Sequence, residues 1–194
     1  MMRTWTRHGT GDDLRICSNL ESYECQLLAS MVHSTTEMLA ERRGSAPQDA
    51  LAELTGIRTG HTTTPRDATL GRLLPDFHRP DQDELLAAEP LAADLNGALR
   101  SLNEPQIIDD KLAAAGTVLD TLPVDGGDVA LTPEQADCWL TALNDVRLAL
   151  GAMLGITDDY HVPGDDHPHA GHHDVYQWLT VVQELLVEAL MGVR

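Results

Sequence analysis

The densest group of potential metal ligands is the stretch DDYHVPGDDHPHAGHHD, which covers residues 158–174. Imidazole and carboxylate groups bind zinc, nickel, copper and iron, so this composition raises the question of a metal site. Its histidines are His161, His167, His169, His172 and His173. His169 and His173 would share a helix face only if the next helix began early, and Gly171 argues against that. We therefore expect a mobile, solvated loop with loose metal affinity, and a metal-binding role stays an alternative.

The thiols of the chain belong to three cysteines, Cys17, Cys25 and Cys138. An odd number without a CxxC motif excludes a disulfide framework. Cys17 is expected to end a strand and Cys25 to lie in the second turn of a helix, so a bridge between them requires local unfolding. Cys138 lies off the apolar face of its helix, and we expect it to be the most exposed thiol. Inert structural cysteines and a redox role both stay open.

Arg147 falls within the apolar stripe of a long amphipathic pattern, with Asp145 close to it in sequence. An arginine on the inner face of a helix must be paired. We therefore expect Arg147 and Asp145 to belong to a structural ion pair, and a binding or catalytic arginine is the alternative. The chain contains no GxSxG, glycine-rich phosphate loop or HExxH motif, so we expect neither an enzyme nor a cofactor.

The composition favours one domain over residues 1–194 and argues against several classes of partner. Twelve arginines and a single lysine are opposed by 31 acidic residues, which gives a net charge of −18. Such a chain lacks the basic footprint that duplex DNA requires. Neither a long apolar run nor a hydrophobic signal core is present, so we expect no membrane contact and a cytoplasmic location.

The hydrophobic spacing predicts a mainly α protein, a helical bundle with a short N-terminal β-hairpin. Arg3–Arg7 and Leu14–Cys17 are expected to form the hairpin around a turn-rich segment. Apolar residues then recur at helical spacing, with Ser18 or Asn19 as the cap and Gly44 at the end.

Later helices are predicted from prolines and capping signals. Pro105 is expected to start a helix that Pro123 stops, and the sequence VDGGDVA that follows is expected to be a turn. Thr132, Pro133 and Gln135 form a strong helix start, with threonine as the cap. The last helix is expected from about Val175, after the histidine-rich loop.

Three segments resemble one known family: Arg72–Phe77 (RLLPDF), Trp139–Ile156 (WLTALNDVRLALGAMLGI) and Val175–Leu190 (VYQWLTVVQELLVEAL). They are similar to the actinobacterial oxidative-stress regulators called AosR. The resemblance implies a helical cytosolic protein, thiol-based sensing of oxidants, and control of transcription through contact with a sigma factor. Residues 81–111, usually rich in arginine and lysine in that family, are acidic here.

The sequence therefore predicts a non-enzymatic, redox-responsive regulator that acts by contact with a protein, such as a sigma factor, without reading DNA directly. One alternative is an interaction module linked to proteolysis that does not sense through thiols. The other alternative is a metal-binding protein that uses the histidine-rich loop. Whether the chain forms a homodimer stays open.

Overall fold

The structure, a computed structural model, describes residues 4–47, 56, 58–78, 89–156 and 170–192. In these residues the strands are β1 (Thr6–His8), β2 (Arg15–Leu20) and β3 (Gly127–Leu131), and the α-helices are α1 (Ser22–Gly44), α2 (Ala68–Leu73), α3 (Glu89–Thr121), α4 (Pro133–Met153) and α5 (Ala170–Met191). The predicted fold class, mainly α with a small N-terminal sheet, is confirmed. Gly44 ends α1, as its position in the sequence predicts.

The sheet has three antiparallel strands in the order β1-β2-β3. Two details of the predicted hairpin are wrong. The segment predicted as a turn supplies the third strand, β3, and β2 continues past Cys17 to Leu20. Along β2, buried and partly exposed residues alternate, as a strand with one face on a core requires.

The chain forms two compact units, and the first comprises Met1–Thr36 and Lys111–Arg194. Trp139 lies at the centre of its apolar core and is fully buried. The indole Nε1 donates a hydrogen bond to Thr121 Oγ1 at 2.8 Å. The Trp139 ring meets Trp5 edge-on, with ring centroids 5.5 Å apart. An indole is well accommodated in a core when its N–H has such a partner.

Helix α4 begins as the sequence predicts. The Thr132 hydroxyl accepts from the backbone N–H of Gln135 at 3.2 Å, and the Gln135 side chain accepts from the backbone N–H of Thr132 at 2.9 Å. This reciprocal pair is a capping box, with Pro133 in the first helical position. By contrast, α5 begins at Ala170 and includes Gly171, so the predicted loop is wrong for residues 170–174.

The second unit comprises Glu37–Asp110. Here Pro105 lies inside α3 and does not start a helix, which corrects the prediction. Proline has no N–H to donate to the carbonyl four residues earlier, that of Ser101. The backbone N–H of Gly60 donates to that carbonyl at 2.8 Å. A Cβ at residue 60 would stand 3.0 Å from Pro105 Cγ, so glycine allows this close approach.

A buried network of ion pairs surrounds Glu104 in the same unit. Its carboxylate accepts from Arg100 Nη1 at 2.7 Å and from Arg42 Nε at 2.8 Å. Arg100 also donates to Asp76 at 2.8 Å and to the carbonyl of Leu74 at 3.1 Å. The Arg100 and Glu104 side chains are almost completely buried. Charged groups tolerate such burial only when they are paired and hydrogen-bonded.

The chain contains two compact units, and a single domain over residues 1–194 stays a prediction. Among the described residues, none of the helices combines the length and the apolar character that a membrane crossing needs.

Arg100 has two acidic partners in this network, Glu104 and Asp76. We expect their substitution to lower the free energy of unfolding by unequal amounts. Glu104→Gln should lower the free energy of unfolding by roughly 3–5 kcal/mol, because it leaves buried guanidinium groups underpaired. Asp76→Asn is the matched control and should cost less than about 1 kcal/mol, because the Asp76 side chain is 41% exposed. Urea midpoints of the two variants measure the difference. Equal urea midpoints for the two variants would show that the burial of the carboxylate does not determine the loss of stability.

Candidate functional site

Cys17 lies in the middle of β2, the central strand of the sheet. Its neighbours Ile16 and Ser18 are buried, whereas the Cys17 side chain is partly exposed on the opposite face. In the strand register it stands between Thr6 of β1 and Ala130 of β3. This outer face of the sheet forms a shallow concavity of about 710 Å³, and Cys17 contributes to its lining. The structure thus offers Cys17 as a thiol that reagents can reach without unfolding.

Polar groups surround this thiol on the same concave face. Thr6 Oγ1 donates to the carbonyl of Cys17 at 3.3 Å and lies 3.0 Å from His8 Nε2. Asn19 Nδ2 donates to Asp128 Oδ1 at 2.6 Å across β2 and β3. The face therefore carries hydrogen-bonded polar groups, with carboxylates and no arginine among its described lining residues.

Cys25 occupies a different environment, in the apolar core beneath the sheet. It is only 1% exposed and packs in the cluster that contains Trp139. Burial raises the pKa of the Cys25 thiol, and the nearby Glu24 carboxylate raises it further. A thiol with a raised pKa is a poor nucleophile. Since Cys17 lies on the outer face of β2 and Cys25 in the core, a bridge between them requires local opening, in keeping with the sequence analysis.

Cys138, on α4, is partly exposed, as Cys17 is. Their shared exposure class does not rank the two, so the expectation that Cys138 is the most exposed thiol stays a prediction. Each of the three cysteines is a free thiol. The two thiols differ in the surface that surrounds them. Cys17 lines the concave face of the sheet, and Cys138 does not.

The histidine-rich stretch is only partly described. His161, His167 and His169 lie outside the described residues. His172 and His173 lie in the first turn of α5 and are adjacent in sequence, so they do not share a helix face. Within the described part of the chain, the potential ligands His, Cys, Asp and Glu do not gather in groups of three or more suited to a metal ion.

The predicted pairing of Arg147 with Asp145 is corrected by the structure. Residues two apart on a helix do not face each other. Asp145 Oδ1 instead contacts Lys111 Nζ at 2.5 Å. Burial raises the pKa of Asp145, and the contact with Lys111 opposes that shift without reversing it. Arg147 lies over the ring of Tyr176, with 5.8 Å from its Cζ to the ring centroid.

Two groups that sequence reasoning missed are Lys111 and the network around Glu104. Arg100 and Glu104 stand four residues apart, the spacing of a helical ion pair, and this was an available signal. Nothing in that spacing shows that the pair is buried. Lys111 is the chain's single lysine, but its partner Asp145 lies 34 residues away, on another helix.

Comparisons with known proteins agree over the full chain. The sequence profile of a domain of unknown function, DUF2017, matches residues 2–190. "Oxidative stress regulator AosR" of Mycobacterium tuberculosis (strain ATCC 25618 / H37Rv) is 48% identical over 200 aligned positions, which cover 100% of this chain and 90% of the relative. "Putative oxidative stress regulator AosR" of Mycobacterium leprae (strain TN) is 46% identical, over 98% of this chain and 89% of the relative. None of the solved structures matches the chain.

The burial of the thiols predicts their order of modification in the native protein. Iodoacetamide should alkylate Cys17 and Cys138 readily and Cys25 on the order of 100-fold more slowly, because Cys25 reacts only after an opening of about 3 kcal/mol. Mass spectrometry of peptides at timed quenches measures the three rates. In denaturant the three rates should converge. Rapid alkylation of Cys25 in the native protein would contradict its assigned burial.

The Lys111–Asp145 pair predicts a pH-dependent effect. Lys111→Met leaves the Asp145 carboxylate buried without its partner and should cost about 3–5 kcal/mol near pH 7. A carboxyl whose folded pKa is raised stabilises the fold below its unfolded pKa, about 3.9, and this contribution is lost as pH rises through the folded pKa. Without Lys111 the folded pKa rises further, so the loss extends to higher pH.

The difference between wild type and Lys111→Met should therefore be small near pH 4 and grow toward neutral pH. Urea denaturation across this range measures it. In an Asp145→Asn background, the effect of Lys111→Met should lose this pH dependence. A difference that is constant with pH in both backgrounds would rule out Asp145 as its source.

Proposed function

This chain belongs to the DUF2017 family, whose curated relatives carry the name oxidative stress regulator AosR, and from this membership we propose that it is a redox-responsive regulator. It acts without enzymatic chemistry, by contact with a protein partner. The observation that carries the proposal is the position of Cys17, a partly exposed thiol on the concave outer face of the sheet. A change at this thiol alters a surface that a partner can touch.

Oxidation at Cys17 is compatible with the intact fold. The thiolate attacks one oxygen of a peroxide and the O–O bond breaks, which gives a sulfenic acid on the protein; the leaving hydroxide or alkoxide takes up the proton that the thiol lost and departs as water or an alcohol. The product places a polar hydroxyl on sulfur between Thr6 and Ala130, the neighbours of Cys17 in the sheet register. Because strand pairing uses backbone groups, this change leaves the sheet in place while its outer face becomes more polar.

The charge of the outer face favours a protein partner over nucleic acid. Glu21 and Asp128 belong to its lining, and arginine and lysine are absent from the lining residues that the structure describes. A phosphate backbone is bound by cationic side chains, which this face lacks. We propose that the partner belongs to the transcription machinery, with a sigma factor as the first candidate.

The experiment measures binding of the purified protein to a sigma factor from the same organism, before and after mild peroxide treatment. Oxidation should change the affinity at least severalfold for the wild-type protein. The variant Cys17→Ser should keep the affinity of the reduced protein after the same treatment. Cys138→Ser is the matched control, because it removes a partly exposed thiol outside the concave face and should leave the response intact.

The outcomes separate the proposed function from its main alternative. If Cys138→Ser abolishes the response while Cys17→Ser preserves it, the assignment of Cys17 is wrong. The reduced wild-type protein, the oxidised wild-type protein and a variant with all three cysteines changed to serine can also be compared. If all three bind the sigma factor with equal affinity, the protein is an interaction module without thiol sensing. Mass spectrometry of the oxidised samples verifies which thiol has reacted in each case.

A further inference from the structure

The unit formed by Glu37–Asp110 contains a partly open cavity of about 190 Å³. It lies where the end of α1, the segment at residues 58–61 and the middle of α3 come together. Two hydrogen bonds fix the middle segment: Gly60 N–H donates to the Ser101 carbonyl at 2.8 Å, and His61 Nε2 donates to the Arg42 carbonyl at 3.0 Å. These bonds make the cavity a preformed feature of the unit.

Two arginines at the mouth of the cavity already hold a carboxylate. Arg43 Nη1 donates to one oxygen of Asp109 at 3.0 Å, and Arg58 Nη2 donates to the other at 2.5 Å. Hydrogen bonds from Arg58 and Arg43 lower the pKa of Asp109, so this group stays ionised. A guanidinium has five N–H donors, and each arginine directs one nitrogen to Asp109. Both have further donors for a second anion.

The two arginines are accessible from solvent. The Arg43 side chain is 49% exposed and that of Arg58 is 63% exposed. Ion pairs at such exposure contribute little to stability, so these arginines can take up a second anion beside Asp109 at little cost to the fold. Arg42, the third arginine of the lining, is by contrast held by Glu104 and by the carbonyl of Thr63. Arg43 and Arg58 are thus the groups available for a ligand.

Much of the remaining lining is apolar, beside the polar groups of Thr59, His61 and Glu104. Ala46, Pro47, Pro105 and Ile108 contribute to it, and Ile108 is buried. An apolar cavity of about 150 Å³ is large enough to bind benzene, so a volume of about 190 Å³ accepts one ring or a short branched chain. The cavity therefore combines a compact apolar compartment with a cationic entrance.

The charges of this cluster are not balanced. Among the residues that the structure describes, four guanidinium groups of the ion-pair network face three carboxylates, which leaves one positive charge in excess; the arginines are 42, 43, 58 and 100, and the acids are Asp76, Glu104 and Asp109. In a chain of net charge −18 this local excess stands out. A singly charged anion neutralises it, whereas a phosphate dianion would reverse it.

We propose that this cavity binds a monocarboxylate that carries a compact apolar group, with the carboxylate on the donors of Arg43 and Arg58 that Asp109 does not use and the apolar group against Pro105 and Ile108. The chemistry is shared by two sources, a free small organic acid and the C-terminal residue of a peptide. This site lies in the other compact unit from the cysteines, and the inference does not depend on thiol sensing.

Titration with benzoate, followed through the backbone amide of Gly60 by NMR, tests the proposal. Benzoate should shift this signal saturably. Benzamide, which has the same ring without the charge, and inorganic phosphate, which has charge without the ring, should each bind on the order of tenfold more weakly or not at all. Equal binding of benzoate and benzamide would overturn the role of the arginines, and equal binding of phosphate would overturn that of the apolar lining.

Variants locate the site. Arg58→Gln should weaken benzoate binding on the order of tenfold, and the double variant Arg43→Gln/Arg58→Gln should abolish it. Arg66→Gln is the matched control, an exposed arginine of the same unit outside the cavity, and should bind benzoate as wild type does. If the double variant keeps a native NMR spectrum and binds benzoate as tightly as wild type does, the assignment of the site to Arg43 and Arg58 is wrong.

A peptide arm distinguishes the two sources. A short peptide that ends in phenylalanine with a free carboxylate is compared with the same peptide amidated at its C-terminus. Tighter binding of the free peptide than of benzoate, lost on amidation, supports a peptide end as the ligand. Binding of benzoate alone supports a small organic acid. Failure of every carboxylate probe would overturn the proposal while leaving the thiol-based function untouched.

Discussion

A carboxylate enclosed in protein must be neutralised, and the arrangement of residues 37–110 follows from this requirement at Glu104. Two arginines from different helices meet it: Arg100 from α3 and Arg42 from the end of α1. Arg100 in turn fixes the segment after α2 through Leu74 and Asp76. The same part of α3 carries Pro105, whose missing N–H leaves a carbonyl for Gly60. The ion pairs around Glu104 and the hydrogen bond from Gly60 to the free carbonyl thus set the positions of three segments. These are the end of α1, the segment after α2 and the segment that contains Gly60.

The sequence was most informative where structure is local. The start of α4 depends on Thr132 and Gln135, three residues apart, and its capping box was predicted. The last helix was also predicted, as α5, and its residues Leu179 and Leu186 are buried in the core. In such cases the residues that decide the conformation are neighbours, so periodicity and capping patterns contain the necessary information.

The same reasoning failed where the partner is distant in sequence. The segment predicted as a turn became β3 because it pairs with β2, more than one hundred residues earlier. Pro105 was expected to start a helix, yet it lies inside α3, where the N–H of Gly60 compensates for the lost donor. The concave surface around Cys17 depends on the pairing of all three strands, so the sequence could name Cys17 as a candidate without showing what surrounds it. Arg43 and Arg58 likewise meet only through Asp109.

The pairing of Lys111 with Asp145 has a consequence for the covalent chemistry of the protein. Lys111 is the only lysine of the chain, and its side chain is 18% exposed. Amine-reactive labels and cross-linkers therefore find a single lysine side chain, and that amine is already engaged with a buried acid. Any tag that cells attach to a lysine of this protein must first separate the pair, so tagging and loosening of the fold are coupled.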